Sequence, residues 1–400
     1  DGVTDEVEGG DRFGASSAYG DFDGDSNFDL VVSAPNEGGN GKSDSGLIHI
    51  FDGSLNWGNE ESYDQGNIGT STTPEDGDQF GVSLVTGDFN GDGFDDLTIS
   101  VHLEDLGDQN QLVDAGMVIL ATGSSEGITT PATYTQDTNG IRGKSETGDR
   151  FGESIASGDI NGDGYDDLVI GVPGEGIGSR DNAGAVNVLY GTRDGLSVAD
   201  DQILHQNSSG VKGKAETGDA FGSALAIGDI NGDGYDDLVI GVPGEGIGRN
   251  TAGAGAVNIL YGSTNGLSGQ GDKFFSQNTR GVKGKSEQGD NFGSFVALID
   301  IDNDSMLDLV VGVPNEAIGS ISKAGMVNAL PNDGNGGFST GDDVSFTANQ
   351  NQFTGSAQAN AQFGSWVLVR GLDLLIGSPG RIVEDYAAAG AFYHLRIDNP

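Results

Sequence analysis

The stretch Phe221–Asp237, FGSALAIGDINGDGYDD, decides the fold because close copies of it recur along the whole chain. A Phe-Gly pair opens each copy, and successive phenylalanines are separated by 67, 71, 70, 71 and 71 residues. The six pairs begin at Phe13, Phe80, Phe151, Phe221, Phe292 and Phe363. A fixed period of this length is the signature of a tandem repeat architecture. We therefore expect a single domain, 1–400, with repeats starting near residues 11, 78, 149, 219, 290 and 361.

The fourth copy contains four short segments with the character of β-strands. Residues 223–228 are mostly small, 238–242 form a β-branched run that ends before Pro243, 255–261 alternate in polarity, and 273–277 form a weaker run. Short strands punctuated by glycine, without a helical period, are typical of a propeller blade. The predicted fold is an all-β propeller of four-stranded antiparallel blades, six by repeat count, with seven as the alternative. The last copy ends soon after its third strand, so it lacks a fourth unless the N-terminal residues supply one.

The composition is strongly acidic and contains no cysteine. The chain has 18 Lys and Arg against 62 Asp and Glu, a formal net charge of −44. This charge excludes a nucleic-acid binder and a basic membrane-surface domain. Without disulfides a secreted domain needs another means of stabilisation, and metal ions can provide it. No run of about 18 apolar residues occurs and Asp1–Thr4 does not resemble a signal peptide, so we expect a mature extracellular domain without direct membrane insertion.

A nine-residue acidic loop follows the Phe-Gly pair in the first five copies. Oxygen-bearing side chains occupy loop positions 1, 3, 5 and 9, and position 7 would supply its backbone carbonyl. Alternate residues converge when such a loop curls, and a set of hard oxygen ligands favours calcium over zinc or copper. The predicted ligands are Asp21, Asp23, Asp25, Asn27 and Asp29 in copy one; Asp88, Asn90, Asp92, Phe94 and Asp96 in copy two; Asp159, Asn161, Asp163, Tyr165 and Asp167 in copy three; Asp229, Asn231, Asp233, Tyr235 and Asp237 in copy four; and Asp300, Asp302, Asp304, Met306 and Asp308 in copy five.

Two other interpretations of these loops compete with calcium binding. Asp-Gly clusters also form ordinary solvated turns, but a turn does not require oxygens at the same positions in five copies. Magnesium is the closer competitor, although a cage with this many protein oxygens suits calcium. About five calcium ions are therefore expected. The sixth copy should bind none, because Val369–Asp373 is too short and contains an arginine.

Charged residues at the other end of the blades are candidates for ligand contact. The loops after the second strand and before Phe-Gly carry Lys144, Glu175, Lys214, Glu245 and Lys285. A protein or glycan ligand on a cell or matrix surface fits such a rim. The alternative is that these are solvated charges tying adjacent blades through weak, exposed ion pairs. The phenylalanine of each Phe-Gly pair is predicted to lie in the core between blades, and nothing in the sequence indicates the oligomeric state.

Catalysis finds little support in the sequence. The four histidines lie at different places in the repeat; His49, for example, takes the strand position of Asn187. The chain has no cysteine and no G-x-S-x-G motif. We predict a non-enzymatic binding or adhesion module. Two alternatives are a structural spacer and an extracellular hydrolase or lyase that cleaves a polysaccharide or phosphoester through unrepeated groups such as Asp105, Glu384 or Tyr386.

Phe-Gly, the acidic loop and a Gly-x-Pro turn together resemble the FG-GAP repeat of the integrin alpha-subunit β-propeller. The turns lie at 171–173, 241–243, 312–314 and 377–379. The resemblance covers essentially the whole chain, and it implies a calcium-stabilised propeller that recognises ligands at the face opposite the metal loops. Integrin propellers have seven repeats with metal loops in the later ones, whereas this chain has six with loops in the first five. The integrin partner subunit and its metal-dependent adhesion site have no counterpart here, so integrin-type ligand recognition is not carried over.

Overall fold

The chain is all-β and forms six antiparallel sheets, one for each repeat. The computed structural model describes residues 10–39, 41–55, 60–70, 72–107, 111–249, 251–341, 343–350, 353, 356–370, 373–383 and 390–396. Five sheets have four strands and the sixth has three, each in sequence order. The predicted six-bladed propeller is confirmed. One short 3₁₀ helix, Gly53–Leu55, interrupts the strands, and none of the helical structure described reaches the length needed to cross a membrane.

The chain divides into two compact units. The first runs to Asp159 and adds Asp163–Gly176 and Ala185–Leu204; the second comprises Ile160–Gly162, Ile177–Gly184 and the residues from His205 onward. The first unit holds the sheets of repeats one to three. Its strands are β1 Ser17–Gly20, β2 Asp29–Ala34, β3 Leu47–Phe51, β4 Glu60–Tyr63, β5 Leu84–Gly87, β6 Asp96–Val101, β7 Met117–Thr122, β8 Thr129–Tyr134, β9 Ile155–Gly158, β10 Asp167–Val172, β11 Ala185–Tyr190 and β12 Ser197–Leu204.

The second unit holds the sheets of repeats four to six. Its strands are β13 Ala224–Gly228, β14 Asp237–Val242, β15 Ala256–Tyr261, β16 Ser268–Phe275, β17 Phe295–Ile299, β18 Asp308–Val313, β19 Met326–Leu330, β20 Val344–Phe346, β21 Val367–Arg370, β22 Asp373–Ser378 and β23 Ala391–Arg396. In the sixth sheet the described residues supply three strands, as predicted from the sequence. Residues 1–9, the suggested source of a fourth, lie outside the described residues.

The second strand of a repeat is its most buried element. β14 is buried along its whole length, because it pairs with β13 on one side and β15 on the other, with Ile240 opposite Asn258. A strand covered on both faces is a continuous apolar run, as Leu238–Val242 is in the sequence. β16 begins five residues earlier than predicted and ends at Phe275, and the β15–β16 register shifts between Ile259 and Tyr261.

Five of the six Phe-Gly phenylalanines are fully buried, and Phe13 is not. Phe221 shows how burial is achieved: its backbone N donates to Ala183 O at 3.0 Å. Gly184 has φ +82°, and a Cβ there would lie 2.3 Å from the Phe221 backbone. Phe13 is 54% exposed and contacts the His49 ring edge to face, with ring centroids 5.4 Å apart. The core role predicted for all six is therefore confirmed for five of them and wrong for Phe13, since more than half of its side chain faces solvent.

Candidate metal centre

Each acidic loop connects the first strand of a blade to the second. Loop 229–236 lies between β13 and β14, and the other four occupy the same place in their sheets. In an antiparallel sheet the connections after strands one and three lie at one end, and those after strands two and four at the other. All five predicted loops thus lie at the same end of their own blades, where the strand pairing holds both loop termini.

The carboxylate of the first aspartate accepts hydrogen bonds from backbone N–H groups later in the same loop. In the fourth repeat, Asp229 Oδ1 accepts hydrogen bonds from the backbone N of Gly232 at 2.7 Å and of Asp233 at 3.1 Å, while Oδ2 accepts from Gly234 N at 2.9 Å. Asp88 does the same in the second repeat, with distances of 2.7, 3.1 and 3.0 Å. Backbone N–H groups therefore gather around one carboxylate and set the curl of the loop.

The side chains at positions 3 and 5 form two successive turns of the Asx type. Asn231 Oδ1 accepts from Asp233 N at 2.8 Å, and Asp233 Oδ1 accepts from Tyr235 N at 3.1 Å. Such turns let Asn and Asp side chains replace backbone partners. Because the side chains at positions 3 and 5 bond to a backbone N two residues on, and the position-1 carboxylate bonds to N–H groups three to five residues on, the oxygens at these positions are held toward the inside of the loop.

Positions 4 and 6 adopt a left-handed backbone conformation in all five acidic loops. Gly232 and Gly234 have φ of 73° and 88°. Loops one and five use non-glycine residues at some of these positions, with φ of 70° at Ser26, 62° at Asn303 and 70° at Ser305. This conformation is strained for a residue with a Cβ. The loop shape is thus kept even where glycine is absent.

Three carboxylates converge in the first and fifth loops. Asp21, Asp23 and Asp25 each bring one oxygen within 4.8 Å of the others, and so do the aspartates at the same three positions of loop five, Asp300, Asp302 and Asp304. Loops two to four have Asn at position 3, so an amide oxygen replaces one carboxylate. Asp21 Oδ1 is buried and has no hydrogen-bond partner within the described residues. An all-oxygen donor set with such an acceptor fits a hard divalent cation.

The aspartate at position 9 lies at the base of the loop and is buried. Asp237 accepts hydrogen bonds from Ile230 N at 3.1 Å and Gly262 N at 2.9 Å. Burial raises its pKa to about 7, and like-charge repulsion from Asp233 and Asp229 adds to the shift. Asp96 shows the same rise, to about 7, for the same leading reason. A cation among these carboxylates would lower both pKa values, because an opposite charge favours the ionised form.

The residue at position 7 has a packing role in addition to its carbonyl. The ring of Tyr165 lies on Gly91, where a Cβ would come within 2.5 Å of the ring, and Phe94 lies on Gly24 in the same way. Each ring thus covers the position-4 glycine of the loop in the preceding repeat. The sequence had assigned position 7 a carbonyl alone, and the recurrence of aromatic residues there was the signal for this second role.

The aspartate at position 8 also joins successive loops. Asp95 Oδ2 accepts from Asp21 N at 2.8 Å, and Asp166 Oδ2 accepts from Asp88 N at 2.9 Å. A return bond runs from Asp95 N to Asp21 O at 3.0 Å. The position-1 aspartate is therefore fixed through its backbone by the next repeat. Sequence reasoning missed this residue type, although the doubled Asp-Asp in repeats two to four marks it.

The candidate ligand residues lie at the other end of the blades, but the lysines and glutamates differ in exposure. Lys144, Lys214 and Lys285 are exposed. Glu245 is 7% exposed, and its Oε2 accepts a hydrogen bond from Gln206 Nε2 at 2.5 Å. Glu175 is half-buried and bonds to a glutamine in the same way. The expectation of solvated glutamates in exposed ion pairs does not match this arrangement, because a glutamine amide, and not a lysine, is the partner.

The residues considered for catalysis do not form a common site in the described part of the chain. His49 is buried and pairs with Glu60, Nδ1 to Oε1 at 2.6 Å. Burial lowers the pKa of His102 to about 4, with Arg150 and Arg12 contributing. Asp105 Oδ1 accepts a hydrogen bond from Asp114 N at 2.8 Å. Glu384 and Tyr386 lie outside the described residues.

Comparison with known proteins identifies the repeat. The FG-GAP repeat matches residues 13–51, 80–120, 151–189, 221–260 and 292–327. These five matches are the five copies that carry an acidic loop, and each runs from the Phe-Gly pair into the third strand.

Similar proteins include integrin alpha chains. The chain is 32% identical to integrin alpha-8 of Mus musculus over 236 residues, 58% of this chain and 20% of that protein. It is 34% identical to phosphatidylinositol-glycan-specific phospholipase D of Mus musculus over 165 residues, 41% of this chain and 18% of that protein. The chain therefore spans about a fifth of the relatives it matches. Among solved structures, rhamnogalacturonan lyase YesW aligns with a TM-score of 0.44 at 13% identity, over 94% of this chain and 56% of that one.

Proposed function

Because this chain is an integrin-like FG-GAP repeat β-propeller, we propose that it is a non-enzymatic binding or adhesion module of an extracellular or cell-surface protein. Calcium ions stabilise its blade loops, and a protein or glycan binds at the opposite end of the blades. The proposal extends to five calcium sites, one in each of the loops 21–29, 88–96, 159–167, 229–237 and 300–308.

The observation that carries the proposal is the convergence of Asp21, Asp23 and Asp25. Each of the three carboxylates brings one oxygen to within 4.8 Å of the others, so their negative charges repel one another. Contact with water does not remove this repulsion. Asp21 Oδ1 adds a buried acceptor to which no described group donates. One calcium ion, with its preference for six to eight oxygens, would satisfy the acceptor and cancel the repulsion.

The chemistry that calcium supplies here is structural. Bound to the position 1, 3, 5 and 9 side chains, it would fix the connection between the first two strands of a blade. The residues at positions 7 and 8 contact the loop of the preceding repeat, as Tyr165 and Asp166 contact the loop that begins at Asp88. A loop fixed by calcium would therefore also stabilise the loop before it. With four side-chain oxygens and a carbonyl, little of the calcium shell remains for a ligand other than water.

The exposed lysines support the assignment of the binding end. Lys144, Lys214 and Lys285 lie in the turn that precedes Phe-Gly in three repeats, away from the acidic loops of their own blades. In a chain of net charge −44, cations repeated at one position are a point of attraction for acidic groups on a protein or glycan.

An array of glycans and proteins, probed in calcium and in chelator, tests the proposal. Specific, calcium-dependent capture is the expected result. Turnover of an arrayed polysaccharide or phosphoester without retention would show that the chain is an enzyme and not a binding module. Absence of both capture and turnover would favour a structural spacer.

A further inference from the structure

Two buried polar clusters lie in the second unit, at the end of the blades away from the acidic loops. One contains Gln206, Asp219 and Glu245, and the other has the same three residue types one repeat later, at Gln277, Asp290 and Glu316. All six side chains are at least nine-tenths buried, with exposures of 2 to 7%. Buried carboxylates are rare unless a partner compensates their charge.

The backbone brings the two acidic residues of a cluster next to each other. Gly244 N donates to Asp219 O at 3.0 Å, so Asp219 lies next to the segment that carries Glu245. Asn315 N donates to Asp290 O at 3.3 Å in the second cluster. The glutamine amide completes each group, with Nε2 donating to the glutamate at 2.5 Å in the first and 2.8 Å in the second.

A glycine makes room for each glutamine amide. A Cβ at Gly213 would lie 2.4 Å from Gln206 Nε2, and one at Gly284 would overlap Gln277 Nε2 in the same way. Both glycines have positive φ, +91° and +95°. The amide is therefore held against the carboxylate by the shape of the backbone.

The charged groups that act on these glutamates are all negative. Burial raises the pKa of Glu245 to about 7, and Asp219 and Glu216 raise it further. Burial likewise raises the pKa of Asp219 to about 6, which the hydrogen bond from the Glu216 backbone opposes and the Glu216 charge increases. Near neutral pH a pair with pKa values of about 6 and 7 holds at most about one proton, so about one negative charge remains. The Gln206 amide N–H donates to Glu245 and the backbone N–H of Glu216 donates to Asp219, so neutral donors compensate this charge in the described contacts.

An oxygen without a partner lies in each cluster. Gln206 Oε1 and Gln277 Oε1 are buried and accept no hydrogen bond from any described group. Each belongs to the amide whose nitrogen contacts the glutamate, so it lies within the same cluster. A buried oxygen without a donor, next to a negatively charged carboxylate, is the environment that a cation prefers.

The sixth repeat provides a natural comparison. Ala361 and Arg381 occupy the positions of the aspartate and glutamate, and Gly380 N still donates to Ala361 O at 3.2 Å. Both carboxylates have thus been replaced together. The glutamine is absent there too: Ala348 occupies its position, because Asn349 Oδ1 accepts a hydrogen bond from Ala357 N just as Asn278 Oδ1 accepts one from Ser286 N one repeat earlier. All three members of the cluster are therefore replaced together.

We propose that each of these two clusters binds one monovalent alkali cation of the Na⁺ class between the glutamine Oε1, the glutamate and the aspartate. The three side chains supply too few oxygens for calcium, which takes six to eight. A single positive charge matches the charge that remains when the pair holds one proton. The site is separate from the acidic loops, since it lies at the other end of the blade.

The test compares thermal unfolding in NaCl and in tetramethylammonium chloride at equal ionic strength, with calcium saturating the loops. Tm of the natural chain should rise with Na⁺ concentration relative to tetramethylammonium. The double variant Glu245→Gln, Glu316→Gln keeps the side-chain size and should reduce this Na⁺-specific shift without abolishing it, because Gln65, Asp78 and Glu104 form a like buried group in the first unit. The pair Glu61→Gln, Glu126→Gln is the control, because it removes the same charge from two residues outside the clusters and should keep the shift.

A second variant guards against misfolding in the first. Asp219→Ala with Glu245→Arg installs the two carboxylate replacements of the sixth repeat, which stand in this same fold as Ala361 and Arg381. Combined with Asp290→Ala and Glu316→Arg, it should show a Na⁺-specific shift in Tm reduced as in the double variant. Equal Tm values of the natural chain in the two salts, or a Na⁺-specific shift that is undiminished in both sets of variants, would overturn the proposal in favour of a proton or a water molecule in the clusters.

Discussion

The ring of Tyr235 lies directly on Gly162, so that a Cβ at residue 162 would be 2.6 Å from Tyr235 Cε1. Tyr235 is position 7 of the fourth acidic loop and Gly162 is position 4 of the third. This glycine therefore has two requirements, a left-handed φ of 72° and an open surface for the ring of the next repeat. Successive loops are packed together, which makes their stabilities interdependent.

Gly162→Ala should destabilise the protein more than Gly232→Ala. Both glycines occupy position 4 with nearly equal φ, 72° and 73°, so both variants carry the same strain of about 1 kcal/mol. A Cβ at Gly232 meets nothing within 4 Å, whereas one at Gly162 meets Tyr235. The clash should add roughly 1–3 kcal/mol. Denaturant unfolding in calcium measures the difference, and equal losses would show that the ring yields freely.

Calcium should stabilise the chain at every acidic loop. A site at a hundredfold excess of calcium over its Kd adds about 2.7 kcal/mol, so chelation should lower Tm steeply. Asp233→Ala should remove part of one such increment. Asp194→Ala, which removes an exposed aspartate outside the loops, is the control and should respond to calcium like the natural chain. An unchanged Tm in chelator would refute stabilisation by metal.

Stability in chelator should depend on pH through Asp272. Burial raises its pKa from 3.8 to about 6, opposed by hydrogen bonds from Lys212 and Asn258. The native state thus binds a proton that the unfolded chain releases between pH 4 and 6, and the stability linked to this proton is lost as pH rises through that window. The Tm advantage of the natural chain over Asp272→Asn should shrink from pH 4 to pH 7. A gap that is constant, or no larger than that of the exposed control Asp200→Asn, would contradict the shift.

Ligand capture should depend on the lysine end and not on the metal end. Lys144→Glu should abolish capture at unchanged Tm. Arg193→Glu makes the same charge change between β11 and β12, at the end of the acidic loop, and should leave capture intact. Asp163→Ala should weaken capture only as far as it lowers stability. If Asp163→Ala loses capture while Tm holds, calcium bridges the ligand directly and the two ends have been assigned the wrong way round.

The fold was predictable from the sequence because the recurring motif marks where each repeat begins. The Phe-Gly pair, the glycine turns and β-branched runs such as Leu238–Val242 recur six times. A strand with a weak pattern in one copy can therefore be identified from the same strand in the others. Phe13 is the exception: it opens the same Phe-Gly motif as the other copies, yet it is 54% exposed, because burial depends on how neighbouring repeats pack and not on the motif itself. The length of β16 was underestimated because a strand with one exposed face and glycines inside it has a weak apolar pattern.

The loop residues were predictable in kind, but their neighbours were not. Spacing alone predicted oxygen ligands at positions 1, 3, 5 and 9; the aspartates at positions 1, 3 and 5 do converge in loops one and five, and their binding of metal stays a prediction. The contacts of Tyr235 and Asp166 with the preceding repeat require knowledge of how blades pack. Glu245 was expected to be solvated, since glutamate seldom lies inside a protein. A constant separation of 39 residues between each such glutamate and its glutamine, as in Gln206 and Glu245, was the signal that could have revealed the buried pair.

The most direct test of the central claim is the calcium content of the purified chain and of five variants, each carrying alanine at position 5 of one loop, measured after dialysis against a known free calcium concentration. The substituted residues are Asp25, Asp92, Asp163, Asp233 and Asp304. The account predicts five calcium ions per natural chain and four in each folded variant. Three or fewer ions in the natural chain at saturation, or a variant that keeps all five, would contradict it.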